Sequence, residues 1–306
     1  MKYLSFELLK NEATARNFLI KKYPKSEAKT LAYRNVHAFT SYIKQGMALF
    51  QTAKQSDFWS SSFLLYYGMM SLLKGFALSI DPNYPHSTTI LQHGLTSPKR
   101  KKEPYRFFYD EVRVQKDGFF PYLCNLFSHP VPAGERFKLE LLCSFIPDLQ
   151  ILYQHLDLKT HWWNVTYQNG TLTCPIAVLD QLCISAESFV YRLNHKKPAV
   201  CFSIHSITDQ SFQLKPVGTN DILGHPWLRQ NRQGKLYLWN ASHTSIDPLP
   251  EILTYYALFF SLSMLCRYDP PVWFELNNDI EKEQLIIQQL IDLALHNFPD
   301  LLHQLF

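Results

Sequence analysis

The stretch Asp57–Leu78, DFWSSSFLLYYGMMSLLKGFAL, sets Phe58, Leu65, Leu72 and Phe76 at steps of seven, seven and four. That is the repeat of one helix face. Asp57 stands where a carboxylate accepts a hydrogen bond from a free N–H of the first turn. Asp81-Pro82-Asn83 ends the pattern, because proline lacks an N–H and its ring clashes with the preceding turn. The spacing predicts a helix over 57–78.

Working outward, residues 1–80 read as helical throughout. Leu4, Leu8 and Leu9 keep helical spacing, Ser26-Glu27-Ala28 follows Pro24 as a helix start, and 30–54 holds no proline. Near the other end, Ile252–Cys266 (ILTYYALFFSLSMLC) is apolar on every side. Arg267, Asp269, Pro270 and Pro271 close it after 15 residues, short of the ~20 that cross a bilayer. It is expected to be a buried central helix, with no membrane partner. A last helix over Lys282–His296 carries Ile286, Leu290 and Leu293 as its apolar stripe.

The middle of the chain differs. Residues 81–122 contain Pro82, Pro85, Pro98, Pro104 and Pro121 and a run of charge, the pattern of a long ordered connection with one short helix near Tyr105–Val114. A further helical stretch is expected between Gly134 and Asp157. After His161 the pattern turns to strands: Asn169-Gly170 is a two-residue hairpin signal between Trp163–Tyr167 and Thr171–Thr173. Ala199–Ile207, Ser211–Val217 and Lys235–Trp239 alternate, giving four or five strands in one small sheet. The expected class is α+β, mainly helical, with a small antiparallel β-sheet inserted before the C-terminal helices. The expected division is 1–158 helical with its basic connection at 81–122, 159–245 β, and 246–306 helices packing back on the N-terminal bundle.

With 46% apolar residues and 15% aromatics in 306, the chain is too apolar for disorder, and a net charge of +4 is too mild for a globally basic nucleic-acid binder. The excess is local. Lys99, Arg100, Lys101, Lys102, Arg106, Arg113 and Lys116 stand against Glu103, Asp110 and Glu111, so the whole surplus lies in 99–116. Tyr105, Phe107, Phe108 and Tyr109 interleave with these cations, a composition that holds phosphates while bases stack. His93 with Gly94 just precedes the segment. It is expected to fix a helix start through its backbone, with a proton-transfer or ligand role as the sharper alternative. Lys74 follows Tyr67 by seven residues, so both point to one helix face and can meet an anion there.

Six cysteines lie far apart with no CxxC pair, and there is no HExxH, P-loop, GxGxxG or GxSxG. Neither metal nor cofactor is expected, and no enzymatic signature is present. The N-terminus MKYLSFELLKNE lacks a signal-peptide core, so a cytoplasmic protein with free, mostly buried thiols is expected.

Three blocks resemble the bacterial YaaC-like family. They are Phe63–Gly75 followed by His93-Gly94-Leu95, the block Lys99–Lys102 through Gly118-Phe119-Phe120, and Leu262–Tyr268 with Trp273. The similarity runs from about Phe58 to the C-terminus and implies no settled activity. The Tyr66-Tyr67 helix followed by His93-Gly94 also resembles the HEPN superfamily of helical bundles. That resemblance implies a helical bundle, a homodimer and, in many members, a ribonuclease cleft made from an Arg, four to six residues, then a His. This chain departs from that spacing: Arg34 and His37, like Arg192 and His195, are separated by two residues. The expectation is a non-catalytic binding protein whose basic aromatic segment engages phosphate groups of RNA, a nucleotide or an acidic protein partner. The alternatives are a ribonuclease with a variant site, His93 with Arg100 or Arg106, and a purely structural interaction partner.

Overall fold

The computed structural model describes residues 3–97, 105–196, 199–219, 221–240, 246–278 and 282–306. They divide into two compact units, Met1–Cys143 with Glu251–Phe306, and Ser144–Pro250. The fold is α+β and mainly helical.

The first unit opens with α1 (Tyr3–Leu9), α2 (Glu12–Lys22), α3 (Ala28–Gln55) and α4 (Phe58–Ile80). Asp57 caps α4, its carboxylate accepting from the Ser60 N–H at 3.1 Å. At the far end Arg34 and Asn35 of α3 donate to the Pro82 carbonyl, which pins the stop. Gly46 and Gly68 let the two long helices approach closely: a Cβ on Gly46 would lie 2.5 Å from Leu72 Cγ. Among the described residues one helix, α4, is long and apolar enough to cross a membrane, and 67% of that stretch is buried inside the protein. It is the core helix of its unit, with α3 on one side and two later helices on the other.

After a 3-10 turn at Thr88–Leu91 come β1 (Leu95–Thr96), β2 (Glu111–Val114), α5 (Phe119–Leu126), β3 (Arg136–Lys138) and α6 (Leu139–Ser144). The strands form an antiparallel sheet in the order β1-β2-β3. The short helix expected near Tyr105–Val114 is therefore replaced by a 3-10 turn at Phe107–Tyr109 and strand β2. Val112 and Val114 alternate with Glu111 and Arg113, and the two valines bury against Phe137 and Leu95. Two β-branched residues on one face outweigh the helical look of the charges.

In the second unit α7 (Gln150–His155) precedes the sheet, and its first two strands, β4 (Trp162–Gln168) and β5 (Thr171–Pro175), are followed by α8 (Ala177–Leu182) and α9 (Ala186–His195). The continuous helix expected over 134–157 is thus broken, because Pro147 removes an N–H in its middle. Next come β6 (Cys201–Ile207), β7 (Ser211–Val217), β8 (Leu228–Gln230) and β9 (Leu236–Trp239). Among the described residues the antiparallel sheet has six strands, β6-β7-β5-β4-β9-β8, where the alternation indicates four or five. Asn169 (φ +51°) and Gly170 (φ +74°) form the β4–β5 turn, both in the left-handed region that a type I′ hairpin requires.

His225 is buried in this unit, with Nε2 on the Leu193 carbonyl at 3.2 Å and Nδ1 accepting from the Trp227 N–H at 3.0 Å. Burial pushes its pKa down to about 4 from 6.5. The unfolded chain then binds the proton more readily, so stability is fully present above pH 6.5 and is lost as pH falls toward about 4. The loss reaches about 3 kcal/mol. Urea unfolding followed across that window, with His225→Gln losing the dependence, checks it.

The chain returns to the first unit with α10 (Glu251–Tyr268), α11 (Pro270–Asn278) and α12 (Lys282–His303). Ile252 through Ser263 are all buried in α10, as expected for a central helix. Helix α12 runs past Pro299, beyond the expected end at His296, because Phe298 and Leu302 continue its buried stripe. Both α10 and α12 pack on α4. Of the six free thiols, Cys124, Cys143 and Cys174 are buried, while Cys183 and Cys201 are exposed.

Candidate functional site

Two stripes meet in the first unit. On α4, Phe63, Tyr67, Met70 and Lys74 recur at steps of four, three and four and form a half-buried line. On α10, Tyr256, Phe260, Ser263 and Arg267 recur at the same steps. Tyr66 touches Tyr256 and Phe260, whereas Phe63 and Tyr67 lie under Arg267, so the two helices run antiparallel. Each stripe ends in a cation.

His93 is delivered between them by the loop before β1. Its carbonyl accepts from the Phe120 N–H at 3.1 Å, and the Gln92 carbonyl accepts from the Phe119 N–H at 2.7 Å, so this loop closes the first turn of α5. That is the backbone role expected of His93. Gly94 (φ +76°) and Gly118 (φ +126°) make the approach possible: a Cβ on Gly118 would lie 2.4 Å from Gly94 Cα.

The His93 ring has a second set of partners. Its Nδ1 lies 2.7 Å from the Tyr66 hydroxyl, which is 3.2 Å from the Tyr256 hydroxyl, which is 3.2 Å from the His93 carbonyl. Tyr66 and Tyr256 are fully buried with satisfied hydroxyls. Among the described residues Nε2 has no hydrogen-bond partner, and the ring is half-buried. Burial first, then Arg267, then Lys74, hold the imidazole below its ordinary pKa of 6.5.

Arg267 is oriented by its own helix, Nε donating to the Ser263 carbonyl at 3.2 Å, and by the Tyr67 hydroxyl at 2.8 Å from its Nη1. Its guanidinium also lies 4.7 Å from the Tyr268 ring centre. Lys74 is half-buried, and burial lowers its pKa. Neither cation forms an ion pair among the described residues, and no carboxylate contributes to the environment of His93. Half-buried positive charge and a depressed imidazole pKa therefore occur in the same part of the unit.

The basic segment is described only from Tyr105 onward. Lys99, Arg100, Lys101 and Lys102 lie outside the described residues. Arg106 is half-buried and engaged in contacts of its own. Arg113 is exposed on β2, in register with Thr96 and Arg136, and Lys116 is exposed just beyond the strand. Arg136 pairs with Glu111. Of the interleaved aromatics, Phe107 and Phe108 are buried and the Tyr105 hydroxyl donates to Asp110 at 2.8 Å, so only Tyr109 is open for stacking. The aromatics dock the segment on the core, where the backbone N–H groups of Phe107 and Phe108 donate to the Glu283 carboxylate at 2.8 and 3.2 Å.

The structure joins His93 to Tyr66 and Tyr256 and Tyr67 to Arg267, of which Tyr66, Tyr256 and Arg267 were not nominated by sequence reading, while Lys74 lies on the same half-buried line of α4 as Tyr67. The arginine whose charge lowers the pKa of His93 is Arg267. The four-three-four stripe of α10 ending in Arg267 is the signal that would have found it. Among the described residues no three His, Cys, Asp or Glu side chains converge as metal ligands.

No curated protein and no solved structure matches the chain. A family model described as YaaC-like Protein matches residues 7–306, which takes in α2 and α3 as well as the blocks from Phe58 onward. The chain belongs to the YaaC-like family.

Proposed function

We propose that this protein binds a phosphate-bearing ligand, RNA, a nucleotide or an acidic protein partner, without needing to transform it. The observation that carries this reading is Arg267, half-buried, without an ion pair among the described residues and held on the Tyr67 hydroxyl next to the Tyr66–His93 pair, with the half-buried Lys74 adding positive charge to the surroundings of the same ring. The exposed Arg113 and Lys116, with Lys99–Lys102 upstream in sequence, extend positive charge along the same stretch of chain. The α3–α4 pair with α10 and α12 against it supports a HEPN-like bundle as the scaffold.

Binding of a labelled oligoribonucleotide and of a nucleotide, titrated across ionic strength, tests the reading. Affinity falls as salt rises, because each neutralised phosphate releases a counterion. Replacing Lys99, Arg100, Lys101 and Lys102 together by Ala weakens binding and flattens the salt slope, and Lys74→Ala with Arg267→Ala weakens it tenfold or more. Unchanged affinity in both variants overturns the reading. The ribonuclease alternative gains its one favourable observation from His93 beside Arg267. RNA cleavage that His93→Ala removes would replace simple binding by that activity.

A further inference from the structure

The hydrogen bonds around His93 have a direction. A carbonyl oxygen only accepts, so the Tyr256 hydroxyl donates its single proton to the His93 carbonyl. Tyr256 then has only a lone pair for Tyr66, so the Tyr66 hydroxyl donates to it. Tyr66 in turn has only a lone pair for the ring, so the His93 Nδ1–H donates to Tyr66. The chain of donors runs from the His93 ring through two buried tyrosines and back to the backbone of the same residue. A neutral imidazole carries one N–H, and it is spent inward. Nε2 is therefore a lone pair.

The surroundings of that lone pair are cationic. Arg267 from α10 lies over the Tyr67 ring, which packs on the Tyr66 ring that contacts His93, and Lys74 from α4 adds positive charge to the same surroundings; the other close groups are the neutral Tyr66, Tyr256 and Phe260. An acceptor in cationic surroundings repels the bare oxygen of a fully deprotonated anion while the positive charge attracts the anion as a whole. An anion that brings its own O–H meets both the charge and the lone pair.

We propose that the site selects an oxyanion carrying a hydrogen-bond donor, either hydrogen phosphate or a phosphoester with a hydroxyl beside its phosphate, over oxyanions that have none. This rests on the phosphate-binding reading above and names its ligand class. Near neutral pH inorganic phosphate carries an O–H, whereas sulfate has similar size and charge and no proton. Glycerol 3-phosphate and ethyl phosphate make the corresponding pair for an ester at about pH 8.5, well above the second phosphate ionisation at about 6, where only the glycerol hydroxyls carry an O–H. Tyr256 sets the direction of the relay. In Tyr256→Phe the Tyr66 proton has no acceptor but Nδ1, so the ring turns to the Nε2–H form and presents a donor outward.

Calorimetric titration of the four anions into the full chain, with nitrogen-15 NMR of the His93 ring, tests this. Wild-type protein prefers phosphate to sulfate, or glycerol 3-phosphate to ethyl phosphate, by about tenfold or more, the scale of one hydrogen bond to a charged group. Which pair separates tells free phosphate from an ester. In Tyr256→Phe the NMR signature exchanges tautomers and the preference vanishes or inverts, while the fold is held by the isosteric ring. Equal binding within both pairs overturns the proposal and leaves phosphate binding standing. So does a preference that survives Tyr256→Phe. Failure of every anion to bind, together with unchanged RNA affinity in the lysine and arginine variants, removes the underlying reading as well.

Discussion

Gly118→Ala unfolds the first unit's loop system and costs at least about 3 kcal/mol of stability. Gly118 sits at φ +126°, ψ −177°, a region that only glycine occupies without strain. That alone costs roughly 1–3 kcal/mol. The new Cβ also meets Gly94 Cα at 2.4 Å and Gly94 N at 2.6 Å, and both are backbone atoms that cannot rotate aside. Relief requires the two loops to separate, which breaks the bonds from Phe119 and Phe120 N–H to the carbonyls of Gln92 and His93. His93 then loses its position, so the anion binding we propose falls with stability. Gly170→Ala is the internal control. Gly170 also has a positive φ, +74°, in the milder left-handed helical region, and nothing lies within 4 Å of the added carbon, so only a conformational cost of roughly 1 kcal/mol applies. Urea denaturation of the two variants measures the difference. Equal losses would mean that close approach between Gly94 and Gly118 contributes nothing.

The elements legible in the sequence are those whose information is local. Asp57 and Asp81 bracket α4, Asn169-Gly170 turns β4 into β5, and the all-apolar run of α10 declares a buried helix. Each depends on residues within a few positions of one another. What sequence reading missed depends on distant partners. Strand β2 is held by Leu95 and Phe137, which lie on either side of it in the chain, and without them Glu111–Val114 reads as part of a charged helix. The aromatics of 105–109 look like a stacking surface until Glu283, from the far end of the chain, is seen to collect the backbone beneath them. Half of the site was visible for the same reason. Tyr67 and Lys74 share one helix and declare themselves by spacing, and His93 by its glycine. Arg267 reaches them only because α10 packs antiparallel on α4, a fact of tertiary structure.

Glu283→Ala lowers stability by roughly 2–4 kcal/mol, because it strips the acceptor from two buried N–H groups at about 1–3 kcal/mol each. The carboxylate sits in the first turn of α12, where the helix dipole favours a negative charge. From there it accepts from Phe107 N–H at 2.8 Å and Phe108 N–H at 3.2 Å, each with one oxygen. Both phenylalanines are buried, so water cannot replace the lost acceptor without pulling them out of the core. Glu283→Gln retains one carbonyl oxygen and presents an NH2 to the other donor, so it recovers part of the loss and not all of it. The consequence for the site separates this from an ordinary core defect. The anchored turn leads directly into β2, which carries Arg113 and pairs with Leu95 and Thr96 just after His93. Hydrogen exchange in Glu283→Ala therefore accelerates first across Phe107–Val114 and next at Leu95 and Thr96, while α3 and the buried stripe of α4 stay protected until global unfolding. Uniform acceleration across the whole unit would show that Glu283 stabilises the bundle generally rather than fastening the basic segment to it.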